Sequence, residues 1–298
     1  MRPDWVDREE FPFTSRIFRV NGHALACVDE GEGTPLLMLH GNPTWSFMYR
    51  YLIRHLCDDY RCIAPDYIGF GLSDKPMEWD YRVSHHAEMI HRLIRTLQMD
   101  RFFLVVHDWG GPIGFRYALQ FPEQIAGMVI TNTWMWRVDQ YEKMVLFSRV
   151  MGSPIGKYLI TRLNVFPKII LPSVVGKPKN LLVEHYRHYT APFSVPSQRH
   201  GVWMFPREIL SAGEWLKDLW ESRHLLTDIP KLFLWGMRDP AFTRRVLNRW
   251  IRTFPEAAVY CLDDIGHYVP EEAKERLVPP IRRFLKRQSR SDNINHHT

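Results

Sequence analysis

The sequence lacks the features that would place the chain in a membrane or build a metal site. No apolar run in its 298 residues approaches the length that spans a bilayer, so we expect no membrane partner. The first residues contain no signal-peptide apolar region, which predicts a cytoplasmic protein. The cysteines show no metal-ligand spacing and are predicted to be reduced thiols, with no metal bound: Cys27, Cys57, Cys62 and Cys261.

Charge is not concentrated in a way that indicates a nucleic-acid partner. The net charge of +6 comes largely from scattered arginines, which usually form solvated helix faces. Internal repeats and low-complexity segments are also missing. What the chain does have is a hydrophobic content of 45%, which is enough for a large core. Only the last residues, 291–298, are predicted to form a disordered tail.

Short apolar runs alternate with helix-like stretches along most of the chain. Two strand-like runs, 16–20 and 23–29, flank Asn21-Gly22, a strong hairpin signal. Six further runs follow, at 35–39, 61–64, 102–106, 126–131, 231–235 and 258–262. A β-α-β rhythm of this kind makes a parallel sheet. The pattern predicts an α/β protein with an eight-stranded, mostly parallel sheet.

The rhythm is interrupted once, between Trp134 and about Leu226. This segment contains no convincing strand, is divided by prolines and is dense in aromatic residues. We interpret it as a helical cap inserted between the sixth and seventh strands, where it would roof a cleft. The predicted organisation is therefore a core at 1–133, a cap at 134–226 and a second part of the core at 227–290.

The segment 102–111 has the layout of a nucleophile elbow. An apolar strand runs into a polar residue, a glycine pair and a helix-like stretch. The apex usually carries Ser or Cys, but here it is Asp108, and Val106 occupies a position where the common pattern has a small side chain. A carboxylate can displace a leaving group from saturated carbon, and water must then cut the ester that forms. Asp108 is the candidate nucleophile.

Two loops supply candidate hydrogen-bond donors beside Asp108. His40-Gly41-Asn42-Pro43 follows the run 35–39, where this architecture contributes one backbone N–H of an oxyanion hole. The second backbone donor would come from Trp109. Both Asn42 and Trp109 also own a side-chain N–H, and a departing halide ion needs donors but no proton. We predict that these two residues form the oxyanion hole and bind a halide.

A candidate base and its orienting acid lie further along the chain. His267 stands between the last strand and the final helix, where the base of this architecture arrives in chain order, and it would deprotonate water. Asp239 follows the seventh strand and is the predicted acid. The alternative position after the sixth strand holds Asn132, which cannot carry charge. Asp263 and Asp264 are predicted to be turn residues.

These segments together resemble the haloalkane dehalogenases of the α/β-hydrolase fold, and the resemblance covers nearly the whole chain. It is carried by the elbow at 107–111, the loop at 40–44 and the stretch 66–74. It implies an Asp108-His267-Asp239 triad and an Asn42-Trp109 halide pair, which is the pattern of one subfamily. It also implies a small halogenated hydrocarbon as substrate, a halide ion as product, no cofactor and a homo-oligomer.

Three other functions remain open at this stage. An epoxide hydrolase shares the fold and the Asp-Trp-Gly-Gly elbow, but usually has Phe where Asn42 stands, and it needs cap tyrosines as acids. The cap does contain tyrosines, namely Tyr141, Tyr158, Tyr186 and Tyr189. A luciferase-like, cofactor-free oxygenase shares the Asn and Asp-Trp pattern. A non-catalytic receptor for a small apolar ligand is disfavoured, because it has no need of a nucleophile, a base and an acid.

Overall fold

The computed structural model describes residues 3–181 and 183–295, and its centre is one eight-stranded sheet with the spatial order β1-β2-β4-β3-β5-β6-β7-β8. The strands are β1 (Ser15–Val20), β2 (His23–Glu30), β3 (Pro35–Leu39), β4 (Arg61–Pro65), β5 (Phe102–His107), β6 (Ile125–Thr131), β7 (Lys231–Gly236) and β8 (Ala258–Leu262). β2 is antiparallel to both of its neighbours, β1 and β4, and every other pair is parallel. The predicted eight-stranded, mostly parallel sheet is confirmed.

Helices cover both faces of this sheet. The α-helices of the described residues are α1 (Arg50–Leu56), α2 (Val83–Thr96), α3 (Gly110–Gln120), α4 (Glu142–Met151), α5 (Pro154–Leu163), α6 (Leu171–Ser173), α7 (Val183–Thr190), α8 (His200–Ser211), α9 (Gly213–Glu221), α10 (Arg244–Thr253), α11 (Val269–Ala273) and α12 (Val278–Asn295). One face packs against α2, α3 and α10, and the other against α1, α11 and α12.

The central strands are apolar throughout because both of their faces are buried. In β3, Leu37 and Leu39 belong to the core under α2 and α3, whereas Leu36 and Met38 belong to the core under α1 and α12. Successive strand side chains point to opposite faces, so a strand covered on both sides needs an unbroken apolar run. This explains why the sequence shows continuous rather than alternating hydrophobic segments.

The chain changes direction around β3. From β3 it crosses through α1 to β4 on one side, and from β4 it crosses back through α2 to β5 on the other side. Right-handed crossovers in opposite directions place α1 and α2 on opposite faces, which opens a crevice at the carboxyl ends of β3 and β5. Asn42 and Asp108 follow these two strands.

The elements between β6 and β7 are all helical in the part of the chain that the structure describes. They comprise α4 to α9 and several short helical turns, and prolines begin many of them, as at Pro154 of α5. The cap bounds of 134 and 226 stay a prediction. Helix α12 continues to Asn295, and residues 296–298 lie outside the described part. The disordered tail at 291–298 also stays a prediction.

Features that would bind metal or cross a bilayer are not found in the described ranges, 3–181 and 183–295. No helix there combines the length and apolar character needed to traverse a membrane. No group of three or more His, Cys, Asp and Glu side chains in these ranges could hold a metal ion. Cys27, Cys57, Cys62 and Cys261 are free.

Candidate active site

Asp108 occupies a sharp turn between β5 and α3. Its φ of 50° lies in the left-handed region, which Asp tolerates better than most residues. The turn brings α3 so close to β3 that a Cβ on Gly110 would lie 2.0 Å from the carbonyl oxygen of Leu39. Val106, the departure from the usual pattern, is fully buried beneath the turn and leaves this geometry intact. The segment folds as the elbow that its sequence predicts.

The carboxylate of Asp108 is buried and held by backbone donors. The Asn42 N–H donates to Oδ1 at 2.9 Å, and the backbone N–H of Trp109 also hydrogen-bonds the carboxylate. Burial raises the pKa of Asp108 above its ordinary value, although His267 and the two N–H groups oppose this shift. Oδ1 is thus engaged by the Asn42 N–H, while Oδ2 faces His267 at 3.8 Å from Nε2.

His267 and Asp239 form a direct pair beside Asp108. Nδ1 of His267 lies 2.8 Å from Oδ2 of Asp239, so the carboxylate accepts the Nδ1–H and Nε2 is left facing the nucleophile. Burial alone would lower the pKa of His267, but the charge and hydrogen bond of Asp239, together with the charge of Asp108, raise it. Burial would raise the pKa of Asp239, yet His267 and hydrogen bonds from Asn132 and Ala241 lower it.

Asn132 takes part in the site, which the sequence reasoning missed. Its Nδ2 donates to Asp239 Oδ2 at 2.8 Å and to the Gly236 carbonyl at 3.1 Å, and its Oδ1 accepts the Gly236 N–H at 2.8 Å. The side chain therefore joins the ends of β6 and β7 and holds the carboxylate that faces His267. In the sequence, this position indicates only a place where an acid could stand. A polar residue directly after a parallel strand was the available signal.

The orientation of Asn42 depends on the cap. Its Nδ2 donates to the carbonyl of Val202 in α8 at 3.2 Å. That carbonyl is free to accept because Pro206, four residues further along the helix, has no N–H to donate to it. Only the nitrogen of the amide can donate, so this contact sets which way the side chain of Asn42 points. The second N–H of the same nitrogen remains for a ligand.

A cavity of about 230 Å³ opens above these residues, between the carboxyl end of the sheet and the cap. The five predicted site residues all contribute to its lining: Asn42, Asp108, Trp109, Asp239 and His267. The rest of the wall is largely aromatic and aliphatic, including Phe147 and Phe166 of the cap and Phe242 of the core. Trp109 packs edge-on against Trp134 with 4.5 Å between ring centroids, and its indole N–H forms no hydrogen bond with another described residue.

The arrangement suits attack by a carboxylate on an apolar molecule. Such a substrate would lie in a mostly hydrocarbon wall, with a buried nucleophile below it and N–H donors of Asn42 and Trp109 beside it. His267 is 3.8 Å from Asp108, too far for a direct hydrogen bond. Asp263 and Asp264 form no hydrogen bond or ion pair with His267; Asp264 pairs with Arg276 at 3.0 Å, as expected of a turn residue.

Comparisons with known proteins agree with this architecture. A family model described as the alpha/beta hydrolase fold matches residues 34–274. A crystal structure of a haloalkane dehalogenase from Bradyrhizobium elkani superposes with a TM-score of 0.85 at 25% identity, covering 94% of this chain and 99% of that one.

Curated relatives extend over the same length. Haloalkane dehalogenase 2 of Mycobacterium tuberculosis is 38% identical over 278 residues, covering 92% of this chain and 96% of the relative. A cis-3-alkyl-4-alkyloxetan-2-one decarboxylase of Xanthomonas campestris is 36% identical over 295 residues, covering 93% of this chain and 97% of that protein. Chain order, elbow and these likenesses agree: the chain belongs to the haloalkane dehalogenase family of the α/β-hydrolase fold.

Proposed function

We propose that this protein is a haloalkane dehalogenase that converts a haloalkane and water into an alcohol, a halide ion and a proton. One observation carries the proposal. A buried carboxylate, Asp108, faces an apolar cavity beside two residues with side-chain N–H groups, Asn42 and Trp109. These N–H groups donate hydrogen bonds but do not transfer a proton, which suits a halide ion because it leaves without being protonated. The cavity lies below the range of about 300–1,000 Å³ typical for drug-sized ligands, which favours small haloalkanes.

The first step is displacement at the carbon that bears the halogen. Oδ2 of Asp108 attacks this carbon in line, the carbon–halogen bond breaks, and the halide leaves with the electron pair. Oδ2 is the attacking atom because Oδ1 is held by the Asn42 N–H at 2.9 Å. Side-chain N–H groups of Asn42 and Trp109 stabilise the growing negative charge, and hydrogen bonds to a charged partner contribute about 1.5–3 kcal/mol each.

The second step is hydrolysis of the alkyl ester on Asp108. His267 Nε2 takes a proton from water, and the oxygen of this water attacks the carboxyl carbon. The backbone N–H groups of Asn42 and Trp109 stabilise the resulting oxyanion at Oδ1. The bond between the carboxyl carbon and the alkoxy oxygen then breaks, and the alcohol leaves with the proton from His267. While His267 carries this proton, Asp239 stabilises its imidazolium form. Asp108, which is left as a carboxylic acid, loses its proton to solvent; this is the proton that the overall reaction releases.

Halide release tests this proposal directly. We expect bromide and acid to form when the protein is mixed with 1-bromobutane or 1,2-dibromoethane, measured by ion chromatography and pH-stat. A single turnover in ¹⁸O-labelled water should place the label on Asp108 and not on the alcohol, as mass spectrometry can establish. No bromide from a broad set of haloalkanes would refute the proposal.

The His267→Ala variant separates the two steps. Attack by Asp108 needs no base, so this variant should release about one halide per site and then stall. Peptide mass spectrometry should find the alkyl group on Asp108. An adduct on another residue would contradict the assignment of the nucleophile.

Geometry gives little support to epoxide hydrolysis. That reaction needs tyrosine acids above the nucleophile, but none of the four cap tyrosines lines the cavity in the described part of the chain. Tyr189 instead donates to Glu271 at 2.5 Å, Tyr186 donates to the Lys168 carbonyl at 3.0 Å, and the side chain of Tyr158 is exposed. We expect no diol from simple epoxides under conditions that release bromide from haloalkanes.

Decarboxylation of a β-lactone is a second candidate, favoured by the 36% identity to an oxetanone decarboxylase over 295 residues. The same Asp108 would attack the ring carbon that bears the lactone oxygen, with the substrate's own carboxylate as leaving group. Loss of CO₂ would then form the carbon–carbon double bond and expel Asp108. This sequence consumes no water and needs no base.

The two candidates respond differently to loss of His267. If a cis-3,4-dialkyloxetan-2-one is the substrate, the protein should release alkene and CO₂, and His267→Ala should retain multiple turnovers. A haloalkane should give this variant a single turnover only. Wild type and His267→Ala should be tested with both substrates, with the alkene measured by gas chromatography and the halide by ion chromatography.

Self-association is also proposed for this chain, by its resemblance to the subfamily with the Asn-Trp halide pair. Multi-angle light scattering should then give a mass above the monomer value of 35.5 kDa. A monomer at micromolar concentration would contradict the proposal. We further propose that no nucleic acid is bound, so a labelled duplex should not shift in the presence of the protein.

A further inference from the structure

A segment of the cap, 174–180, is packed directly against the loop that carries His267. The backbone N–H of His267 donates to the Val174 carbonyl at 3.0 Å. Nearby, a Cβ on Gly176 would lie 2.5 Å from the Asp264 carbonyl oxygen, and a Cβ on Gly266 would lie 2.3 Å from the nitrogen of Gly176. The two backbones are so close that no side chain fits between them. Cap segment 174–180 therefore packs directly against the loop that contains His267.

Glu272 accepts hydrogen bonds from both of these segments, the loop of His267 and cap segment 174–180. Its Oε2 accepts the Gly266 N–H at 3.0 Å, the Gly176 N–H at 2.8 Å and the Asn180 side-chain N–H at 3.1 Å, while Oε1 accepts the Tyr268 N–H at 3.1 Å. Gly266 and Tyr268 are the neighbours of His267 on either side. One buried carboxylate thus binds the peptide groups that flank His267 and, at the same time, two groups of the cap.

We propose that Glu272 is a positioning residue that fixes His267 for hydrolysis of the alkyl ester by tying its loop to cap segment 174–180. Glu272 does not line the cavity, so it acts on the reaction through the groups that it holds, and His267 stands between two of them, Gly266 and Tyr268. The inference rests on the proposed two-step reaction. Attack by Asp108 does not use His267, whereas hydrolysis does. A displaced base should therefore slow the second step and leave the first unchanged.

Glu272→Gln is the discriminating variant. Gln keeps the size of the side chain but turns one acceptor into an NH₂ group, which would face an N–H donor of the loop whichever way the amide points. With 1,2-dibromoethane in rapid-quench experiments, we expect a burst of about one bromide per site at the wild-type rate. Steady-state turnover should then fall by about 10- to 100-fold, the loss that follows a displacement of roughly 1 Å. The ester on Asp108 should accumulate.

Two further variants control the experiment. Glu275→Gln removes a carboxylate three residues away on the surface and should leave both phases unchanged. Asn180→Ala removes one cap contact of Glu272 and a hydrogen bond to the Asp264 carbonyl, but leaves the bonds of Glu272 to Gly266 and Tyr268. It should therefore slow the second phase by a smaller factor. This variant decides the matter if Glu272→Gln does not fold.

The outcomes are distinct. Unchanged steady-state turnover in Glu272→Gln, or a burst slowed as much as turnover, would overturn the role of Glu272, as would wild-type kinetics in Asn180→Ala if only that variant folds. A wild-type protein that releases no bromide would instead contradict the proposed function.

Discussion

A carboxylate at the apex of the elbow changes the task of the histidine beside it. A serine nucleophile must lose its proton to a base at hydrogen-bond distance, about 2.6–3.2 Å. An ionised carboxylate at position 108 has no proton to lose, and Nε2 of His267 lies 3.8 Å from Oδ2 of Asp108. The histidine is therefore available for water. Burial would lower its pKa, but Asp239 raises it above the ordinary value, and the ionised Asp108 adds to this increase.

Because the charge of Asp108 raises the pKa of His267, we expect this pKa to differ between the free enzyme and the alkyl-enzyme. In the free enzyme, ionised Asp108 helps to keep the imidazole protonated, so the neutral base is lost as pH falls through a pKa above about 6.5. Alkylation makes Asp108 neutral and removes that contribution. We expect the acid limb of ester hydrolysis, measured from single-turnover rates against pH, to lie at lower pH than the titration of His267 in the free enzyme.

Asp108→Asn provides the control for this prediction, since the amide is neutral like the ester. The imidazole signal of His267, followed by NMR against pH, should titrate at lower pH in this variant than in the wild type. Equal titration in the two proteins would show that Asp108 does not influence the base.

At the level of elements, helix α8 links the cap to the proposed halide-binding pair. Pro206 lies inside this helix and leaves the Val202 carbonyl without its usual helical donor. Asn42 donates to that carbonyl at 3.2 Å. The missing hydrogen bond in cap helix α8 therefore orients the side chain of Asn42, which belongs to a loop of the core. Pro206 itself also lines the cavity.

Pro206→Ala should loosen this link. The new N–H at position 206 can bond the Val202 carbonyl as in a regular helix and compete with Asn42. Because a neutral hydrogen bond contributes about 0.5–1.5 kcal/mol, we expect bromide to bind roughly 2- to 10-fold more weakly in calorimetric titrations. Pro154→Ala, at the first turn of α5 where an N–H has no helical partner, should leave bromide affinity unchanged. Equal affinity in both variants would contradict the role of Pro206.

At the scale of the whole molecule, a buried ionic cluster joins distant parts of the chain. Arg50 of α1 pairs with Glu271 of α11, and a second nitrogen of Arg50 donates to Glu271 at 2.8 Å. His185 of α7 lies 3.1 Å from Glu271 and 3.2 Å from Glu10 near the start of the described chain. The N-terminal segment joins the cluster through Glu10, which also lies 3.3 Å from Arg50. Core and cap meet at the carboxylate of Glu271, which directly precedes Glu272.

Loss of this carboxylate should destabilise the fold. Glu271→Gln leaves buried Arg50 with only the partly exposed Glu10 as a counter-charge, at 3.3 Å. Breaking a buried ion pair from one side typically costs about 3–5 kcal/mol. Denaturant unfolding followed by circular dichroism measures the change. Glu88→Gln is the matched control, because the Glu88–Arg92 pair is exposed and such pairs contribute about 0.3–0.5 kcal/mol. A similar small loss in both variants would contradict the importance of the buried cluster.

The same carboxylate predicts a pH dependence of stability. Burial would raise the pKa of Glu271, but Arg50 and His185 lower it to about 2. Because the folded pKa lies below the ordinary value of about 4.5, the contribution of this carboxylate is complete above that pH and is lost as pH falls towards 2. We expect the stability of wild type and Glu271→Gln to converge over this interval.

Local pattern predicted the sheet and the elbow because both are encoded by neighbouring residues. A buried strand needs an apolar run, and a tight turn against a helix needs glycines such as Gly110 at the point of contact. Asn132, Glu272 and the Pro206–Val202 pair were not predicted, since their partners lie far away in sequence. Asn132 meets Asp239 across a separation of 107 residues, and Glu272 meets Gly176 across 96.

The sequence by itself determined which reactive groups this protein has and therefore which kind of reaction they suit. An aspartate at an elbow apex, a histidine before the last helix and an aspartate after the seventh strand are choices of residue type, and chain order is enough to recognise them. Only the tertiary structure decided how these groups are held. The hydrogen bonds that Asn132 donates to Asp239, and those that Glu272 and the Val202 carbonyl accept, depend on loops and a cap that meet through folding. Such contacts need distances of about 3 Å, which no local pattern specifies.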